Sequence, residues 1–169
     1  MSNQYLDWLE DLKNSPVDSE DYIRYLNITY PYLTPRNNMG EIDYEAGSMF
    51  ELVPKGWRAM FLKMCDEINS ILDKYNFCDT ENFYFADIKE KFGMLRCYFI
   101  FSSSELNASE VSQEILDCIY KYEDLSTNYC VECGAPSEYV SRGLIRYYCK
   151  NCTPSTRTTV DKWKEFCGS

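Results

Sequence analysis

The chain has 169 residues, with 27 acidic against 17 basic side chains for a net charge of −10, 45% hydrophobic residues and 16% aromatic ones. That length holds one hydrophobic core plus a small appended module and excludes two large domains, while the composition excludes a disordered chain. The charge is uneven, −7 over residues 1–53, −5 over 54–127 and +2 over 128–169, and the overall excess of acid opposes tight nonspecific binding of nucleic acid by the whole molecule.

In chain order, residues 3–14 have the spacing of a short amphipathic helix, with Tyr5, Leu9 and Leu12 on one stripe and Trp8 beside it. Pro16 ends it, because proline disfavours the helical conformation in the residue before it. Ser19-Glu20-Asp21 then reads as cap and first turn of a second helix carrying Tyr22, Ile23 and Leu26. Pro31, Pro35, Gly40 and Gly47 mark an irregular connection. Residues 1–53 are therefore expected to form an acidic, Tyr-rich N-terminal extension.

Pro54 suits the first turn of the next helix, in which Trp57, Met60, Phe61, Met64, Ile68, Ile71 and Tyr75 recur at three- and four-residue steps. Residues 82–101 alternate as a hairpin. Ala86 and Ile88 are expected on one face, Asp87, Lys89 and Lys91 on the other, and after a turn at Phe92-Gly93 the inward residues are Leu95, Cys97, Phe99 and Phe101, with Arg96 and Tyr98 outward. A helix over about 107–124 follows, with Val111, Ile115, Cys118, Ile119 and Tyr122 on its stripe; its acids Asp117, Glu123 and Asp124 read as a solvated face. Residues 54–127 are thus a helix–hairpin–helix core.

The strongest chemical signal comes next. Cys130-x-x-Cys133-Gly134 and Cys149-x-x-Cys152 are two knuckles whose separation places four thiolates around one tetrahedral metal, which predicts a structural Zn²⁺ holding a ribbon over 128–153. Pro154 breaks the chain after it, and 158–167 is expected to be a last helix presenting Val160, Trp163 and Phe166, within a C-terminal segment 154–169. The odd total of nine cysteines, with Cys65, Cys78, Cys97, Cys118 and Cys167 scattered through apolar segments, argues against a secreted disulfide framework. No run approaches the roughly 18 apolar residues of a membrane span, and Asp7, Glu10 and Asp11 are unlike a signal peptide, so a cytoplasmic protein with no membrane partner is expected.

At the hairpin the wording becomes specific. Asp87-Ile88-Lys89-Glu90-Lys91-Phe92-Gly93-Met94-Leu95-Arg96-Cys97-Tyr98, preceded by Gly56-Trp57 at a helix start and followed by a helix and a Cys-x-x-Cys-Gly knuckle, resembles an uncharacterised family of bacteriophage and prophage proteins with a Lys-Glu-Lys-Phe-Gly-x-Leu-Arg hairpin and a four-cysteine ribbon. The resemblance covers about residues 55–153 and departs at Met94, where members often carry a second small residue. It implies a viral or mobile-element origin, a bacterial host cytoplasm, and a compact α+β domain with bound zinc.

Function is weighed against the ordinary roles of the same residues. Cys130-x-Glu132 with Cys149-x-x-Cys152 partly imitates a zinc-deaminase motif, but Cys133 supplies a fourth thiolate and Tyr148 stands where that motif has proline. The chain has no histidine, which removes the usual general base for Ser or Cys nucleophiles, and no glycine-rich phosphate loop. A non-enzymatic protein is therefore expected. Lys89, Lys91 and Arg96 with Arg142, Arg146 and Lys150 could touch nucleic acid as a zinc-ribbon module, or simply be solvated charge. Tyr22, Tyr25, Tyr30, Tyr32 and Tyr44, in the acidic extension, are expected to form the contact with a protein partner, since tyrosine is enriched in interfaces, or else to pack the extension on the core. The reading is an α+β protein that binds and modulates, with inhibition the expected effect, a host protein such as a nucleic-acid-handling or defence complex.

Overall fold

The computed structural model describes residues 3–37, 39–77 and 82–168, so Cys78 lies outside the described residues, as does the side chain of Tyr5. Helix α1 (Asn3–Lys13) is followed by α2 (Glu20–Thr29), whose N-cap Ser19 accepts the Tyr22 N–H at 3.2 Å. Three single 3₁₀ turns, at Pro31–Leu33, Met49–Leu52 and Lys55–Trp57, lead into α3 (Arg58–Lys74). The middle one is closed by a capping box, Ser48 with Glu51.

Strands β1 (Phe83–Lys91) and β2 (Met94–Phe101) form the antiparallel hairpin, and α4 (Ala108–Ser126) packs on β2 and α3. The expected alternation breaks at Ala86. A β-bulge between Phe85 and Asp87 leaves Ala86 exposed and lets Phe83 and Phe85 share the buried face with Ile88, three positions on. Two residues there oppose one on β2, so the parity of the strand changes at that point. The turn has positive φ at both central residues, 55° at Phe92 and 79° at Gly93, the geometry of a two-residue hairpin.

One continuous core runs through these elements. Trp57 from the last 3₁₀ turn, Phe61, Met64 and Ile68 from α3, Leu95 from β2, and Val111, Ile115 and Ile119 from α4 are fully enclosed. Ile23, Leu26, Tyr30, Tyr32, Leu33, Phe50 and Val53 belong to the same cluster, so the segment 1–53 packs on the core, the second of the two roles weighed for its tyrosines. The Tyr32 ring meets Phe83 and Phe85 edge-on at 4.9 and 5.8 Å, and its hydroxyl donates to the Cys65 carbonyl at 2.9 Å. Without this segment that side of the hairpin would face water.

The C-terminal part carries a second sheet in the order β4-β3-β5: Tyr147–Tyr148, Tyr139–Ser141 and Arg157–Thr159. Thr158 and Thr159, expected to open the last helix, are instead strand. Thr159 then caps α5 (Val160–Cys167), accepting the Lys162 N–H at 3.4 Å. No helix among the described residues is long and apolar enough to cross a membrane.

Candidate metal centre

The first knuckle is built by backbone hydrogen bonds. The Cys130 N–H donates to the Ala135 carbonyl at 2.7 Å and the Gly134 N–H to the Cys130 carbonyl at 2.9 Å, a tight reversal that uses Gly134 at φ +75°. The Sγ atoms of Cys130, Cys133, Cys149 and Cys152 all lie within 4.8 Å of one another, and those of Cys133 and Cys149 are 3.6 Å apart. A metal with bonds of about 2.3 Å to four tetrahedral sulfurs sets those sulfurs about 3.8 Å apart. None of the four is in a disulfide, so the set fits a four-thiolate metal ion. Burial pushes the Cys149 thiol up, but the Cys152 N–H, the Cys133 thiol and the Asn151 N–H directed at its sulfur outweigh this and bring it to about 7. The Cys133 and Cys149 thiols beside Cys152 push that group to about 12.

A metal bound tetrahedrally by all four thiolates would keep no position open for water or substrate. Glu132 is exposed. Such binding would deprive the deaminase-like pattern of an open metal position, and its glutamate is not enclosed.

The ribbon is fixed to the core by a backbone-to-backbone approach. The Gly56 N–H donates to the Val131 carbonyl at 3.0 Å, and a Cβ on Gly56 would fall 2.0 Å from the Cys130 carbonyl oxygen. Only glycine fits there. The neighbouring Trp57 indole, fully buried, donates to the Tyr129 carbonyl at 3.2 Å. On the other side the hairpin tip rests on the ribbon, with a Gly93 Cβ position 3.0 Å from the Tyr147 ring, and Arg146 Nε donating to Glu90 at 3.0 Å.

Three of the six expected nucleic-acid contacts are engaged in ion pairs within the molecule. Arg96 pairs with Glu123 at 2.6 Å, Arg146 with Glu90, and Lys89 with Asp87 while lying over the Tyr98 ring. Lys91, Arg142 and Lys150 are exposed. Arg96 and Arg146 spend their donors on carboxylates that join elements of the fold.

Glu123 itself is a correction. Expected on a solvated face, it is buried: one carboxylate oxygen accepts the Cys97 N–H at 2.8 Å, the other Arg96, and one turn later the Ser126 hydroxyl accepts the Leu95 N–H at 2.9 Å. Residues 95 and 97 point their N–H groups outward from the hairpin ladder, so these two side chains stand where a third strand would. The acid pattern of the helix carried no mark distinguishing Glu123 from Asp124.

The five tyrosines separate in the same way. Tyr30 and Tyr32 are buried, Tyr30 donating to Asp66 at 2.6 Å, and so offer no ring to a partner. Tyr22 and Tyr25 are half-buried, with Tyr22 edge-on to Phe50 at 6.3 Å. Tyr44 is 81% exposed. It lines a groove of about 670 Å³ with Asp18, Glu20, Arg24, Asn27, Glu45 and others. In it the Asn27 amide donates to the Gly47 carbonyl at 2.8 Å, which leaves its Oδ1 enclosed without a protein partner. Of the remaining cysteines, Cys65, Cys97 and Cys118 are buried, and Cys167 is exposed.

A scan of protein-family models, a search of curated proteins and a search of solved structures each find no match to this chain.

Proposed function

We propose that this chain is a non-catalytic accessory protein, of bacteriophage or mobile-element origin, that binds and restrains a host protein in the bacterial cytoplasm. In this reading the ion at the four cysteines is zinc and its role is structural: bound there, it holds the ribbon together and supplies no chemistry. The observation that carries the reading is the groove at Tyr44. Glu20 and Glu45 line it with no cation partner among the described residues, beside an exposed aromatic ring and the unpaired Asn27 acceptor. Such a surface suits a basic segment of a protein, whose ammonium or guanidinium groups meet the carboxylates while its apolar stems lie on the ring.

The test is capture from a bacterial lysate with tagged full-length protein, with and without nuclease, beside a Glu20→Lys/Glu45→Lys variant. A stoichiometric protein that survives nuclease and is lost by the variant is the expected result. Recovery of nucleic acid, with every protein lost on nuclease treatment, would overturn it in favour of a nucleic-acid-binding ribbon.

A further inference from the structure

A second cleft, of opposite sign, lies between the β3–β4 loop and α5. Ser141, Arg142, Gly143, Ile145, Thr158, Lys162, Trp163 and Phe166 line about 590 Å³. In a chain of net charge −10 this lining holds two cations and no carboxylate. Arg142 and Lys162 have no ion-pair partner among the described residues, unlike Lys89, Arg96 and Arg146. Asp161 of α5 lines a different, smaller cavity of about 410 Å³ beside Glu138.

The floor is apolar and its walls are braced. Trp163 and Phe166 stack at 5.9 Å, yet Phe166 is 81% exposed, as is 64% of the neighbouring Leu144. No residue of α5 is buried. The loop is held in shape by Ser141, whose hydroxyl accepts the Arg146 N–H at 3.1 Å, and by the Arg142 N–H donating to the Thr156 carbonyl at 3.2 Å. Behind it, Ile145 and Tyr147 contact the hairpin turn. A half-buried Trp163 beside an exposed Phe166, in a cleft with a fixed wall, loses little freedom on binding, the condition under which a small contact becomes specific.

We propose that this cleft docks a short segment of another protein in which an aromatic or large aliphatic anchor is flanked by aspartate or glutamate. The anchor lies on Trp163 and Phe166, and the flanking carboxylates meet Arg142 and Lys162. The site is separate from the groove at Tyr44, and the two have opposite charge, so one molecule can hold a basic and an acidic segment at once.

The proposal is tested on the full metal-loaded chain with three synthetic peptides: a leucine–phenylalanine anchor between aspartates, its lysine-flanked twin, and the aspartate peptide with serines for the anchor. Amide and indole NMR shifts are followed. The acidic anchored peptide is expected to bind saturably, shifting Arg142, Gly143 and the Trp163 indole, with the other two at least about tenfold weaker. Arg142→Glu/Lys162→Glu should transfer preference to the lysine-flanked twin, and Phe166→Ser should weaken the acidic peptide alone. Both changes are at exposed positions, and a folded spectrum confirms that each variant is intact. Equal binding of the twins, shifts outside the cleft, or none, would overturn the proposal. So would a concentration-dependent dimer that shifts the same residues, which would make the occupant a second copy, or displacement of the peptide by a short oligonucleotide at equal concentration. Because Glu20→Lys/Glu45→Lys should leave this binding unchanged, failure here and failure of the groove reading are distinguishable.

Discussion

The helix–hairpin core and the ribbon solve the same problem by different means. The core encloses large side chains from α2, the last 3₁₀ turn, α3, α4 and both strands, Trp57, Phe61, Met64 and Ile68 among them. The ribbon encloses little beyond Val131, Val140 and two of its own cysteines. Apolar burial stabilises by about 25 cal/mol per Å², which a module of this size cannot accumulate in the amount its chain entropy requires. Four thiols placed to hold one metal ion, and a borrowed surface, stand in. The ribbon lies on the core through Gly56, Trp57 and the hairpin tip, so its stability depends on the core, while the core has an internal reserve.

The sharpest way to break that asymmetry is from the core side. Ile68 is fully buried, and Ile68→Asp would place a carboxylate where no partner exists, at a cost of more than about 4 kcal/mol. The whole molecule should lose its cooperative melting transition, ribbon included. An unshifted melting curve would refute the account of α3 as the centre of the core.

From the ribbon side the effect should be smaller and local. Cys133→Ser, or a chelator, is expected to lower bound metal from one equivalent to none and unfold residues 128–153. The core should persist, destabilised by about 3 kcal/mol through loss of the Trp57 and hairpin-tip contacts. Hydrogen exchange would show protection retained in α3 and lost in β3–β5. Collapse of both regions together would mean that the core has no such reserve. Gly56→Ala probes the joint itself: its Cβ would fall 2.0 Å from the Cys130 oxygen and 2.7 Å from the Gly134 nitrogen, so the two backbones must separate. A cost of about 2 kcal/mol is expected, with metal still bound but released faster to a competing chelator.

How much of this was legible depended on whether the signal was local. The stripe of α3 and the thiol spacing are periodic or short-range patterns, and both appear in the structure where the sequence places them. The bulge at Ala86 was not legible, because an inserted alanine differs in no way from a paired one until both strands are aligned. Glu123 misled because hydropathy patterns register that a residue is polar and do not register that a strand edge 26 residues earlier needs an acceptor. Tyr30 and Tyr32 misled for a related reason. Tyrosine serves an interface and a core with the same ring, and only the position of β1 decides between them. Gly56 was visible as a glycine before a helix, but the knuckle it touches is more than seventy residues away.

The smallest expected effect is a gain, and it separates the tip of the hairpin from its docking. Phe92 has φ +55° and is 71% exposed; a bulky side chain in the left-handed region costs roughly 1 kcal/mol, which asparagine largely avoids. Phe92→Asn should therefore stabilise the protein by about 0.5–1 kcal/mol, less what is lost with the Lys91 ammonium over the ring at 5.6 Å, a weak contact at an exposed site. The side of the turn that meets the ribbon is Gly93, against Ile145 and Tyr147. If the strain at Phe92 belongs to the hairpin alone, the gain measured by thermal melting should be the same with metal bound and after chelation. A gain that vanishes on chelation would mean that the ribbon holds the turn in its strained form, and the core would then depend on the ribbon at this one point.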